Sequence, residues 1–446
     1  MKYDAVIIGA GISGLFSALV LAKERKNVLV LEKSSVIGGN CRSYLVDGFQ
    51  VDTGAHAITS LKKGPLVTLM DKYFDIVPKF LPHGHYYVRD GKKLQIFPYT
   101  LQGFARFGII SKKDRILLAH ALLDATKNHT IQKESLDMSV YDFIKSYKLS
   151  SKAISFIDIF CYFLSGKSMH ETPVWRILSG GGTTDELSHG MKNKISGIVG
   201  IVRNTTYLNQ GYPLGGIKSI TNAIIASFPE NRVTICTDEK VIKIQKNMTT
   251  FTTATEKHKY KSGTIIYSAE IKNLPKILEN KIPKSFKGNI STLKQTRSMT
   301  LWLGLKRKRE EFNYTGSEVL FKAEIPFWAM PTSNYDPQFA PKGMQLIGFT
   351  SIIIGNKTQK EQKHLLLNTI KKTYPGIEKD IVMQHVQVTV PEKAAITVGA
   401  RFPGPKGPIS GLYLAGTDTD KRSMGITRAA HSVVEMIDLM KKDKFI

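Results

Sequence analysis

The stretch VIIGAGISGLFSALVLAKERKNVLVLEKSSVIGG, residues 6–39, decides the fold of this chain. Val6-Ile7-Ile8 is a short β-branched apolar run and reads as a buried strand. Gly9, Gly11 and Gly14 follow in a G-x-G-x-x-G spacing, and Ile12, Leu15, Leu19 and Ala22 then recur at helical spacing. Val28 to Leu31 makes a second buried strand that ends on Glu32. This strand–turn–helix–strand order is the unit that grips a dinucleotide. Gly9 permits the tight turn, Gly11 lets a pyrophosphate approach the backbone, and Gly14 lets helix and strand pack closely. The helix start, with Ile12 and Ser13, offers unpaired N–H groups to phosphate. Glu32 is placed to accept hydrogen bonds from a ribose diol, with Lys33 beside it.

The spacing alone leaves NAD and FAD open. Past Glu32 comes Ile37-Gly38-Gly39-Asn40-Cys41-Arg42-Ser43. A second glycine pair there brings another loop, with Asn40, to the phosphates, and Arg42 is set to neutralise them. G-x-G-x-x-G, then Glu, then G-G-x-x-R-S resembles the flavin-containing superfamily of amine oxidases, protoporphyrinogen oxidases and phytoene (carotenoid) desaturases. The resemblance implies FAD, and it is closest in pattern to the phytoene desaturases.

At 446 residues the chain is too long for one compact core, so two lobes are expected. Its 42% hydrophobic and 22% charged composition is that of a folded globular protein. No apolar run reaches the ~18 residues needed to span a bilayer. The N-terminus enters the first strand at once and carries Asp4, which argues against a signal peptide and for a cytoplasmic protein. Cys41, Cys161 and Cys236 are far apart and lack metal-ligand spacing, so neither a disulfide framework nor a metal site is expected. The formal net charge of +26 favours anionic partners. No nucleic-acid-binding signature accompanies it. The expectation is therefore peripheral attachment to an anionic membrane surface on the inner face; a lysine-rich proteome is the alternative. Oligomeric state stays open.

The expected architecture is α/β: a Rossmann-like FAD-binding domain interleaved with an α+β substrate domain. Residues 1–75, 205–274 and 391–446 are assigned to the FAD-binding domain. Residues 76–204 are assigned to a helical part of the substrate domain and 275–390 to its sheet part. Tyr212-Pro213-Leu214-Gly215-Gly216 before a helix, then paired strands, is similar to the desaturase pattern, which implies that Val241 meets the adenine. Gly411 to Asp418 and Ser423 to Ile426 carry the last part of the resemblance. It implies that Gly416 and Asp418 hold the ribityl and phosphates, and that a helix beginning at Gly425 and Ile426 aims its N-terminus at the flavin. Such a helix end stabilises an anionic reduced ring.

Flavin desaturases need few side-chain catalysts, so no acid–base pair stands out. His56, in the loop Asp52-Thr53-Gly54-Ala55-His56 that the family runs past the flavin, is the one candidate proton relay. His83, His85 and Arg89 have no decisive spacing, and Trp302 and Trp328 read as core or pocket wall. Amine oxidases of the superfamily carry a lysine near the flavin on the strand that here reads Ser298-Met299-Thr300-Leu301-Trp302; Lys294 lies before it and none lies within it. The leading reading is desaturation or isomerisation of an apolar isoprenoid polyene by hydride transfer to flavin. A flavin oxidase of an amine or porphyrinogen competes with it. So does a redox-neutral mutase of the UDP-galactopyranose mutase type, which "IGGN" and "GFQVDTGAHAI" also resemble.

Overall fold

The computed structural model describes residues 2–54, 57–98, 100–131, 137–178, 209–353, 355 and 357–446. Two seven-stranded sheets organise them. The first is built on Lys2–Ile8, which pairs in parallel with Val28–Leu31 on one side and Lys259–Tyr267 on the other. Val233–Cys236 extends it beyond Val28–Leu31, and Leu412–Leu414 joins the C-terminal end of Lys259–Tyr267, both in parallel. An antiparallel hairpin, Val241–Asn247 and Thr250–Thr255, completes it. The central stretches Ala5–Ile8, Val28–Leu31, Ile265–Tyr267 and Leu412–Leu414 are apolar and buried because helices cover the sheet's faces. The helix Ile12–Lys23 buries every side chain from Ser13 to Ala22, packed against Gly425–Lys442, Pro65–Tyr73 and Lys218–Ala226. The fold is thus α/β with a Rossmann-type core.

The second sheet runs in the order Ile381–Thr389, Ser298–Leu305, Gln345–Ile352, Phe327–Met330, Gly316–Leu320, His85–Asp90 and Lys93–Ile96. Its strands are antiparallel except where His85–Asp90 runs parallel to Gly316–Leu320. Behind it lies the helix Gln359–Thr373, started by a capping box in which Thr358 and Glu361 satisfy each other's backbone N–H groups.

The helical reading of residues 76–204 needs correction at its start. Phe80–Pro82, His85–Asp90 and Lys93–Ile96 are strands, and helices take over only from Leu101–Arg106 onward. Tyr86, Tyr87 and Val88 favour a pleated surface, and the parallel partner that recruits them lies some 230 residues away, beyond any local pattern. Lys112–Ile131 and Ser151–Ser165 are helices, in keeping with the helical part assigned there. Residues 179–208, which include the 204/205 boundary, lie outside the described residues.

Candidate cofactor site and substrate cavity

The glycine turn is built as the sequence predicts. A Cβ on Gly14 would stand 2.0 Å from the Gly9 carbonyl oxygen, so this glycine is the contact between helix and strand. A Cβ on Gly11 would meet nothing within 4 Å; the backbone there faces open space. Gly39, at φ +57°, brings its own backbone against Gly11, where a Cβ would sit 3.1 Å from the Gly11 Cα. The Gly38 N–H donates to the Ala10 carbonyl at 2.8 Å, so the second glycine pair closes over the first. Glu32 accepts from the Ala10 N–H at 2.8 Å and the Ser34 N–H at 2.9 Å, one bond to each carboxylate oxygen. Each oxygen keeps a lone pair for a diol.

One continuous cavity of about 790 Å³ runs from this turn into the second lobe. At its nucleotide end stand Gly9, Gly11, Ile12, Ser13, Glu32, Lys33, Gly39, Asn40 and Val241. Gly425 and Ile426 line it further on. Gly14, Gly38 and Arg42 lie behind the wall, with the Arg42 Nε buried and unpaired among the described residues.

Two expectations change here. Gly416 and Asp418 do not reach the cavity; Thr417 and Lys393 form that part of the wall. The Asp418 carboxylate instead accepts from the Ile271 N–H at 2.7 Å, and burial pushes its pKa up. The helix N-terminus at Gly425 is also not wholly free. Its first N–H donates to Glu392 Oε1 at 2.6 Å, which leaves the Ile426 and Thr427 N–H groups without a partner among the described residues. His56 and Ala55 lie outside the described residues.

Several residues that the sequence reading passed over converge on this site. Glu392 also pairs with Arg428, and Arg176 adds a second positive charge to the group. Both arginines are fully buried, and burial together with Arg428 lowers the Arg176 pKa to about 9. Lys393 donates to the carbonyls of Ser268 and Ala269, at the end of the central strand. Lys294 does not line the cavity; its ammonium pairs with Glu171 at 2.7 Å. Cys41 is buried with its thiol pushed up to about 12, which makes it inert packing rather than a redox group.

In the second lobe the wall is uncharged among the described residues. Tyr86, Phe163 and Trp328 supply aromatic surface, with Phe163 and Trp328 edge to face at 6.0 Å between ring centres. Trp302 is core, fully buried beside Phe49 and Tyr212. His83 is buried and its pKa falls to about 4, so it is neutral; Arg89 pairs with the buried Glu318.

Asp52, the first residue of the loop Asp52-Thr53-Gly54, accepts from the Tyr212 hydroxyl and the Ile217 N–H, and burial raises its pKa from 3.8 to about 6. The folded state therefore binds this proton more tightly than the unfolded chain. Its contribution to stability is present below pH 4 and is lost as pH rises to 6. Asp52→Asn should remove that loss. Urea denaturation should show the variant gaining roughly 2–3 kcal/mol on the wild type between pH 4 and pH 7. A gap that does not change with pH would contradict a buried, protonatable Asp52.

A Rossmann-type sheet, a glycine cradle with an acidic anchor, and a cavity leading into a second lobe define a two-lobed fold of the dinucleotide-binding type. The NAD(P)-binding Rossmann-like domain family matches residues 7–73. An uncharacterized protein in the nifH2 3′ region of Methanothermococcus thermolithotrophicus is 52% identical over 96 residues, 22% of this chain and 92% of that protein. The all-trans-retinol 13,14-reductase of Rattus norvegicus is 51% identical over 63 residues, 14% of this chain and only 10% of that protein's length. Prolycopene isomerase 2 of an Oncidium hybrid is 23% identical over 442 residues, covering 86% of this chain and 72% of that protein. Among solved structures, an oxidoreductase from Methanosarcina mazei superposes with a TM-score of 0.78 at 21% identity, covering 98% of this chain and all of that one. A putative protoporphyrinogen oxidase from Exiguobacterium gives 0.73 at 15% identity, covering 99% of each chain. These likenesses show that the chain carries an NAD(P)-binding Rossmann-like domain and shares its overall fold with these oxidoreductases.

Proposed function

We propose that the chain holds FAD and exchanges a hydride with a neutral, apolar isoprenoid polyene, as a desaturase, reductase or isomerase. The residues fit the cofactor: the open space at Gly11 admits a pyrophosphate, the buried Arg42 Nε has no partner among the described residues, and Glu32 has free lone pairs. FAD held there would supply a hydride acceptor or donor. The protein holds the phosphates at Gly11 and Gly39, the ribose at Glu32, and excludes water with its aromatic wall.

The observation that carries the substrate class is the charge distribution along the cavity. Its described charged residues are Glu32, Lys33, Glu239, Lys240, Glu270 and Lys276 on the nucleotide-binding side, and Glu392 and Lys393 in the segment that leaves the second lobe's strand Ile381–Thr389, where Glu392 is paired with Arg428 and Lys393 with the Ser268 and Ala269 carbonyls. Among the described residues, the strands and helices of the second lobe contribute to the cavity wall neither a carboxylate to pair an ammonium nor a cation to pair a propionate or phosphate. A buried ion without a partner is costly, which favours a neutral substrate over an amine, a porphyrinogen or a nucleotide sugar. The names of the prolycopene isomerase and retinol reductase relatives support the same class.

Attachment to an anionic membrane is part of the proposal. No described helix is long and apolar enough to cross a bilayer. On Lys112–Ile131, Ile116 and Leu123 sit seven residues apart on one face, 50% and 46% exposed, beyond Lys112 and Lys113. A basic start and an exposed apolar face suit the lipid interface.

The test has three readouts. Nucleotide released by heat should chromatograph as FAD; NAD alone would overturn the cofactor. Anaerobic mixing with polyenes in anionic liposomes should shift their absorption; peroxide formed from soluble amines would overturn the substrate class. The protein should sediment with anionic liposomes and release in part at high salt, and failure to sediment would remove the membrane step.

A further inference from the structure

Where the second lobe's sheet meets the cavity, its surface is a row of hydroxyls. Thr300 and Thr350 stand directly opposite on neighbouring strands, and so do Ser298 and Thr389. Trp328 is the next residue across from Thr350, so the aromatic wall begins where the hydroxyls stop. All five line the cavity, and Ser298, Thr300 and Thr350 are 5% exposed or less.

These hydroxyls pair with one another, Thr300 with Thr350 at 2.9 Å and Ser298 with Thr389 at 3.1 Å. A pair of hydroxyls has two protons and uses one in the bond between them. Each pair therefore keeps one O–H for which the described residues offer no acceptor. Ser317 works the other way. The His83 Nδ1 lies 2.9 Å from the Gly84 carbonyl and must donate to it, so the Nε2 of this neutral ring is an acceptor. The Ser317 hydroxyl, 3.1 Å from that Nε2, donates its proton there and turns oxygen lone pairs to the cavity. The surface thus presents two donors and one acceptor, all neutral, beside an aromatic wall. Buried polar groups of this kind find a partner in the folded, loaded state.

We infer that the substrate is not a plain hydrocarbon: it carries a neutral oxygen function, a hydroxyl or carbonyl, that is bound by the Thr300–Thr350 and Ser298–Thr389 pairs. This rests on the polyene reading proposed above and narrows it. A hydroxyl or carbonyl oxygen accepts the spare proton of either pair. A hydrocarbon satisfies neither and leaves the spare donors unpaired, a larger penalty than the gain of one net hydrogen bond. Sites built to bond a substrate's oxygen discriminate strongly against the analogue that lacks it.

The test uses the cofactor-loaded, full-length protein. Retinol, retinal and the hydrocarbon of the same carbon skeleton are titrated in turn, with quenching of tryptophan fluorescence as the readout. The two oxygenated probes should bind at least about tenfold more tightly than the hydrocarbon, the ratio expected from one well-placed bond over an unpaired donor. The double variant Thr300→Val, Thr350→Val replaces both partners by apolar groups of the same shape. It should keep its hydrocarbon affinity and lose most of the preference for the oxygenated probes. Equal binding of all three probes to the wild type overturns the inference without any variant, and leaves the polyene reading standing. A preference that survives the double variant also overturns it. Failure of all three to bind overturns both readings.

Discussion

Gly11→Val should purify folded but without its cofactor, whereas Gly14→Ala should fail as a fold. Gly11 has φ −71° and ψ 174°, extended backbone that any residue adopts, and a Cβ there meets no protein atom within 4 Å. The valine methyls therefore enter only the space proposed for the pyrophosphate. The phosphates would be held off the backbone N–H groups, losing one or two charge-assisted hydrogen bonds at roughly 1.5–3 kcal/mol each, or about a hundredfold or more in affinity. Gly14 has no such space. An alanine Cβ 2.0 Å from the Gly9 carbonyl forces strand and helix apart at the centre of the largest apolar cluster. The gain of roughly 1 kcal/mol that alanine brings in a helix does not offset overpacking of that severity. The flavin-to-protein absorbance ratio reads the first effect and thermal melting reads the second. A fully loaded Gly11→Val, or a Gly14→Ala as stable as the wild type, would show that the roles of the two glycines are wrongly divided.

Glu392→Gln should carry the second large effect. Its carboxylate holds Arg428 and neutralises part of the charge of Arg176, in a site where both guanidiniums are buried and Glu392 itself is 18% exposed, toward the cavity. Removing one member of such a group leaves buried charge uncompensated, which costs about 3–5 kcal/mol. The arginines keep their bonds to the Ser423, Leu164 and Ala394 carbonyls, so the loss should show as a lower denaturation midpoint rather than as failure to fold. A second readout separates this from generic damage. Glutamine adds one net positive charge next to the helix start at Gly425. If the flavin lies where the cavity meets that helix, its reduction potential should rise, because an anionic reduced ring gains a favourable field. Loss of stability with an unchanged potential would leave Glu392 a structural residue and count against that placement.

The local parts of the site were legible in the sequence because local chemistry determines them. A β-branched run, a glycine spacing and a helical apolar stripe each occupy a few consecutive residues. The turn they form sets Gly11, Glu32 and Gly39 together whatever the rest of the chain does. The helix starting at Gly425 likewise stands where the resemblance placed it, with Ile426, Ala430, Val433 and Ile437 buried on one face. The sequence by itself therefore determined the nucleotide-binding turn and the α/β core around it. Only the tertiary structure decided what surrounds the turn. Glu392, Arg428 and Arg176 are far apart in the chain, and each alone reads as an ordinary surface charge; packing brings them into one buried group. Trp302 and Trp328 look equivalent in sequence, yet the register of the sheet buries one and sends the other to the cavity. The hydroxyls of Thr300, Thr350, Ser298 and Thr389 become a row only because antiparallel strands align them to the residue. Strand register is a non-local quantity, fixed by which apolar faces find each other during folding, and no short window of sequence contains it.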